Sequence, residues 1–221
     1  MPSPSLSIGQ CATLACVLEA TAPKVGNVHR GADFQDLTFT DFLASAVAIG
    51  PVMDEARAAG VGRTVLAAVE ATGQLAGTNV NLGIALLLAP LAAVPQEVPL
   101  KSGIAAVLDQ LTAEDSRLVY QAIQLANPGG LGNVEQMDVR HSPPALLLDA
   151  MAAAQDRDLI ARQYVTSFAL VLDEIAPALV AGRRRGWSLT DSIIRTHVEL
   201  IASHGDSLIV RKCGPEMGKQ A

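Results

Sequence analysis

Apolar positions recur three and four residues apart through most of the chain, the spacing that gives one face of a helix. Ser7 and Gln10 form a capping-box pattern ahead of "CATLACVLEA", so a first helix is predicted there. Thr38 and Asp41 frame the start of "FLASAVAIGPVMDEARAAG", where Phe42, Leu43, Ala46 and Val47 share a face and Pro51 should kink or split the helix. Helical period continues through "VGRTVLAAVEAT" to Gly73 and resumes in "NLGIALLLAPLAA". Thr112 and Asp115 open another helix running into "RLVYQAIQLA". Pro143 and Pro144 suit the first turn of a helix through "ALLLDAMAAAQ". The stretch from Asp158 to about Ala181 reads as one helix with Pro177 near its end, and Thr190 to His204 as a last long one. No stretch alternates as a strand would. The expectation is an all-α, single-domain multi-helix bundle over residues 1–221, with "PLAAVPQEVPL" as an internal linker.

Composition strengthens that picture. Half of the residues are apolar but only 3% are aromatic. The core must therefore be Ala, Leu, Val and Ile, which suits close helix packing more than a sheet. The net charge of −6 argues against a nucleic-acid partner, since phosphate neutralisation needs a basic surface. Arg183–Arg185 read as cations at a helix C-terminus. The longest apolar run, Ile84 to Val94, is shorter than the about 20 residues a bilayer requires. Cys11, Cys16 and Cys213 lack metal-ligand spacing, and the first two read as small core residues. "MPSPSLSIGQ" lacks a basic n-region. The expectation is a cytoplasmic protein with no membrane association.

Four junctions between the helices change the picture, because they gather glycine with acids, bases and amides. They span residues 22–36, 73–83, 127–141 and 204–214. The first, "APKVGNVHRGADFQD", is far longer than the roughly 2–8 residues that usually join two helices. The second, "GQLAGTNVNLG", precedes a helix, where free backbone N–H groups attract anions, although the motif alone reads better as two ordinary helix caps. The third, taken alone, is a surface turn, and the fourth is an exposed tail with a satisfied acid. Neither a Walker P-loop nor a Gly-x-Gly-x-x-Gly fingerprint is present, and there is no zinc spacing or Gly-x-Ser-x-Gly elbow. His197, within a helix, reads as a packed or surface residue.

Taken in order, the junctions resemble the triphosphoribosyl-dephospho-CoA synthases. That family carries a Glu four residues before Pro-Lys-Pro-Gly-Leu-Val-Asp, then an Asp-containing stretch leading to Phe-Leu-x-Ser. Here Glu19, Pro23, Lys24, Gly26 and Val28 follow that order, then Asp36, Phe39, Phe42, Leu43 and Ser45. The family's Gly-Val-Asn-Thr-His-Lys-Gly is similar to "GTNVNLG", which keeps Gly77, Asn79 and Gly83. "GGLGNVEQ" places Glu135 near a family acid, and "DSLIVRKCG" resembles the terminal element with Asp206 and Arg211. Val25 replaces a Pro, His29 stands where the family has Asp, and Asn81 and Leu82 replace His-Lys. The pattern is that of a divergent, short member.

The resemblance implies a transferase that takes a triphosphoribosyl group from ATP, releases adenine, and joins the sugar to the 2′-hydroxyl of dephospho-CoA. It also implies Mg²⁺, which normally accompanies a triphosphate. Carboxylates at Glu19, Asp36, Glu135 and Asp206 would stabilise a cationic sugar or take the hydroxyl proton, without acid and base being assigned among them. Asp36 and Asp206 are metal-ligand candidates. Lys24, Gly26, Asn27, His29, Asn79, Asn81, Gly83, Arg211 and Lys212 are the substrate-binding candidates. Two alternatives remain at this point: transfer to another cofactor precursor such as a pterin, and a catalytically silent helical nucleotide-binding protein.

Overall fold

In the computed structural model, residues 5–128 and 139–205 are described. Eleven α-helices occur among them, and no strand. They are α1 (Ile8–Thr21), α2 (Phe39–Asp54), α3 (Ala56–Ala59), α4 (Val61–Ala76), α5 (Leu82–Ala93), α6 (Leu100–Asp109), α7 (Ala113–Ala126), α8 (Leu147–Ala154), α9 (Leu159–Val165), α10 (Ala176–Arg184) and α11 (Leu189–His204). A π-helical segment, Leu170–Ile175, leads into α10. The all-α expectation holds.

The predicted caps form. Ser7 with Gln10, Thr38 with Asp41 and Thr112 with Asp115 each make a reciprocal capping box. Such a box satisfies two backbone donors that the helix leaves unpaired. Asp115 does more, because its Oδ1 also accepts from the Gly62 N–H at 2.8 Å, so one carboxylate secures the starts of α7 and α4.

α1 packs along α2, α2 on α4, and α4 on both α5 and α7. The α1–α2 crossing is close because both helices present glycine. A Cβ on Gly9 would lie 2.1 Å from the Gly50 carbonyl oxygen, and one on Gly50 would lie 2.6 Å from Thr13 Oγ1. The core is aliphatic: Val65, Ile104, Val119 and Leu147 are almost fully buried, with Tyr164 and Phe168 as a tilted aromatic pair.

Several elements differ from the sequence expectation. Pro51 lies within α2 without splitting it. Pro143 and Pro144 precede α8, whose first residue is Leu147, and the Pro144 carbonyl accepts from Ser116 Oγ instead. The proposed linker is shorter than the motif: α5 extends to Ala93 and α6 starts at Leu100, leaving Val94 to Pro99 as the connection. Cys11 is exposed, whereas Cys16 is buried.

The largest difference concerns residues 158–181. The chain bends by 98° between Leu159–Val165 and Leu170–Arg184. Ser167 and Phe168 both sit in the left-handed region, at φ 50° and 62°. The fully buried Phe168 ring and the Phe168 N–H bond to Gln163 O, at 2.7 Å, hold the turn. Pro177 then lies in the first turn of α10, directly after the π-helical segment. Pro90 has a matching consequence. It cannot donate to the Leu86 carbonyl, and the buried Tyr164 hydroxyl donates there instead at 2.7 Å, tying α9 across α5.

Candidate functional site

The first junction begins where α1 runs out of backbone partners. Lys24 turns back over the helix end, and its ammonium donates to the Glu19 backbone carbonyl. A cation satisfying the last carbonyls is the favoured arrangement at a helix C-terminus. The same ammonium lies 2.7 Å from Glu19 Oε1. The Lys24 side chain is 6% exposed and that of Glu19 35%, so the pair is sheltered on the lysine side and open on the acid side. Asn27 Nδ2 also donates to Glu19 Oε1, at 3.1 Å. Gly26, at φ 78°, supplies the left-handed residue that the turn from Lys24 to Asn27 requires.

Further along, His29 and Ala32 exchange backbone hydrogen bonds, and His29 Nδ1 accepts from the Gly31 N–H. Asp33 Oδ1 accepts from the Phe39 N–H at 2.7 Å and so anchors the start of α2. Asp36 is exposed and has no partner among the described residues. One turn before Glu19, burial and the nearby Glu19 charge push the Cys16 thiol up to about 12. Cys16 therefore stays protonated and is no nucleophile.

The second junction is built differently. Gly77 ends α4 in the left-handed conformation, and the Asn81 N–H donates to Asn79 Oδ1 at 3.3 Å, a local Asx turn. Asn81 stands at the N-cap of α5 but makes no side-chain cap bond, although it is only 2% exposed. The Nδ2 donors of both Asn79 and Asn81 are buried without a hydrogen-bond partner among the described residues. Leaving such a donor unmet costs about 1–3 kcal/mol, so these two amides are the clearest local sign of a ligand-contacting surface.

A cavity of about 250 Å³ lies beside the first two junctions, each of which touches one of its lining residues. His197 lines it, and His197 Nε2 is 3.3 Å from the Val25 carbonyl oxygen of the first junction. Ile160 lines it too, and its Cδ1 lies 3.0 Å from where a Cβ on Gly83 would sit, at the second junction. Gly205, the C-cap of α11 at the fourth junction, completes the rim. His197 is not among the residues singled out from the sequence. The signal that could have found it is the period of α11, where Ile193, His197, Leu200 and Ile201 share one face.

Of the sequence-derived candidates, Glu19, Lys24, Asn27 and Gly26 form one cluster. Asn79, Asn81 and Gly83 form another at the start of α5. His29 is folded into its own turn. Glu135, Asp206, Arg211 and Lys212 lie outside the described residues. Among the described residues, no three His, Cys, Asp or Glu side chains gather as a metal cage. Nor is any single described helix long and apolar enough to cross a membrane.

A family model described as ATP:dephospho-CoA triphosphoribosyl transferase matches residues 5–221. A solved structure described as a triphosphoribosyl-dephospho-CoA synthase from Archaeoglobus fulgidus is similar at 25% identity and a TM-score of 0.64. The similarity covers 80% of this chain and 78% of that one. Among curated proteins, none matches.

Proposed function

The chain belongs to the ATP:dephospho-CoA triphosphoribosyl transferase family, and from that premise we propose how its residues divide the reaction. The transfer breaks the bond between the ribose anomeric carbon and adenine. The electron pair leaves with adenine, which gains a proton. The acceptor hydroxyl of dephospho-CoA forms the new bond to that carbon and loses its proton. Between these events the sugar carries positive charge, which a carboxylate stabilises.

Glu19 is suited to that work. Lys24 and Asn27 converge on Oε1 and hold the side chain in one orientation. Among the described residues, Oε2 accepts no hydrogen bond, and the acid is the open member of the pair. In this reading Lys24 is a positioning residue that keeps Glu19 aimed, and the exposed Asp36 is a second candidate base. Asn79 and Asn81 present amide donors to phosphate oxygens at the start of α5, where the helix dipole also favours negative charge. Mg²⁺ would enter with the triphosphate. Of the two metal-ligand candidates only Asp36 is among the described residues, and one exposed carboxylate does not make a protein-held site, so no step is assigned to the ion.

The observation that carries this division is the pair of buried, unpartnered amide donors at Asn79 and Asn81. The test is direct: purified protein is incubated with ATP, Mg²⁺ and dephospho-CoA, free adenine is followed, and the acceptor is weighed by mass spectrometry. Adenine together with an acceptor gaining the triphosphoribosyl mass is expected. Adenine without that product would move the reading to another acceptor, and neither would end it. A cytoplasmic setting, where ATP is plentiful, fits the proposed donor.

A further inference from the structure

The geometry points to the cavity between α5, α9, the π-helical segment and α11 as the site for the uncharged arm of dephospho-CoA, the branched dimethyl segment in particular. This assignment rests on the transferase reading and names which part of which substrate the cavity takes.

The wall chemistry comes first. Leu87, Ile160, Val171, Ile175 and Leu200 make it aliphatic. The amide of Gln163 is already used, with Nε2 donating to the Leu159 carbonyl and Oε1 accepting from the Val171 N–H, both at 3.3 Å. His197 is the one ring with polar atoms on the wall. A purine buried here would leave most of its ring nitrogens and its amino group without partners, which is unfavourable. A gem-dimethyl carbon needs none. Charged phosphates are excluded for the same reason.

Size agrees. A dry cavity of about 150 Å³ takes benzene. At about 250 Å³ this one holds a fragment somewhat larger, and not a whole nucleotide.

The backbone is distorted beside this space. Two consecutive non-glycine residues, Ser167 and Phe168, adopt positive φ, and the following Leu170–Ile175 turn is π-helical. Each feature is disfavoured by itself, and such features concentrate at functional sites. Together they turn the chain through 98° and put Leu170, Val171 and Ile175 on the cavity wall.

Position completes the case. The cavity adjoins the first junction through His197 and the second through Ile160 and Gly83. An acceptor whose polar half engages those junctions therefore has its apolar half beside the opening.

ADP is dephospho-CoA without the arm, so the two ligands isolate its contribution. Calorimetry on the unaltered protein should give dephospho-CoA at least tenfold tighter binding than ADP. Free pantetheine should displace dephospho-CoA and leave ADP bound. Leu200→Trp and Ile175→Phe, filling the cavity from two different elements, should lower dephospho-CoA affinity to that of ADP. Both should leave ADP and ATP affinity within about twofold, with melting temperatures confirming the fold. Equal binding of ADP and dephospho-CoA by the unaltered protein would overturn the assignment, as would failure of pantetheine to compete. Filled variants that weaken ADP equally would give the cavity to the base. If any of these occurs while adenine is still released from ATP, the cavity assignment falls and the transferase reading stands. If the unaltered protein neither releases adenine nor binds dephospho-CoA, both fall.

Discussion

The junction after α1 and the junction before α5 both match family motifs, yet they solve opposite problems. In the first, polar groups answer one another. Lys24 meets Glu19, Asn27 meets Glu19, His29 meets Gly31, and Asp33 meets Phe39. In the second, two buried amide donors have no partner among the described residues. The first is therefore scaffold as much as site: its length is what a chain needs to cap α1, orient one carboxylate and start α2. The second carries an unmet hydrogen-bonding demand, which a ligand would satisfy. Motif residues alone do not separate these roles; the partners do.

The comparison can be broken most forcefully at Glu19. Glu19→Ala leaves the Lys24 ammonium buried with only a carbonyl for company. The expected loss is about 3 kcal/mol, the low end for a broken buried pair because Glu19 is partly open to water. Urea denaturation measures it, and a loss below about 1 kcal/mol would mean the pair is not structural.

At the second junction the sign should reverse. Asn81→Leu removes a buried donor that has no partner while keeping similar bulk. The ligand-free protein should become more stable, by about 1 kcal/mol. ATP or dephospho-CoA should bind about tenfold more weakly, as losing one hydrogen bond would give. A variant that loses stability and keeps affinity would show that Asn81 serves the fold alone.

Asp36→Asn sharpens the contrast within the first junction. Asp36 is exposed and unpartnered among the described residues, so stability should change by less than about 0.5 kcal/mol. If Asp36 is the base, adenine release should fall by about 10²-fold or more with nucleotide affinity kept. Normal turnover would leave Glu19 as the remaining described carboxylate.

The smallest effect concerns the end of the first junction. Hydrogen bonds from Thr38, the backbone N–H first and then the hydroxyl, hold the Asp41 carboxyl below the usual aspartate range. Because the folded value is depressed, the contribution is present above the unfolded value and is lost as pH falls through the folded one. Wild type and Thr38→Ala should therefore differ more at neutral pH than in acid, where the bond from the Asp41 N–H to the Thr38 hydroxyl still separates them. A difference unchanged with pH would remove Asp41 from the account.

Much of this was legible in the sequence because it is local. A capping box needs only residues three apart, so Ser7, Thr38 and Thr112 announced the starts of α1, α2 and α7. An aliphatic composition with few aromatic residues dictated a helical core. The ordered motifs pointed to the family, and the match over residues 5–221 agrees. Tertiary structure decided what depends on partners distant along the chain. Tyr164 can satisfy the carbonyl freed by Pro90 only because α9 crosses α5. The break at Ser167 and Phe168 is invisible to helical period, since its cause is the burial of one ring. Sequence does not show that Lys24 turns back onto Glu19. His197 looked inert because Val25, 172 residues away, had yet to be placed beside it. Local periodicity is written in short spacings, whereas burial and pairing arise only once distant segments meet, and it is burial that makes the unmet amides of Asn79 and Asn81 matter.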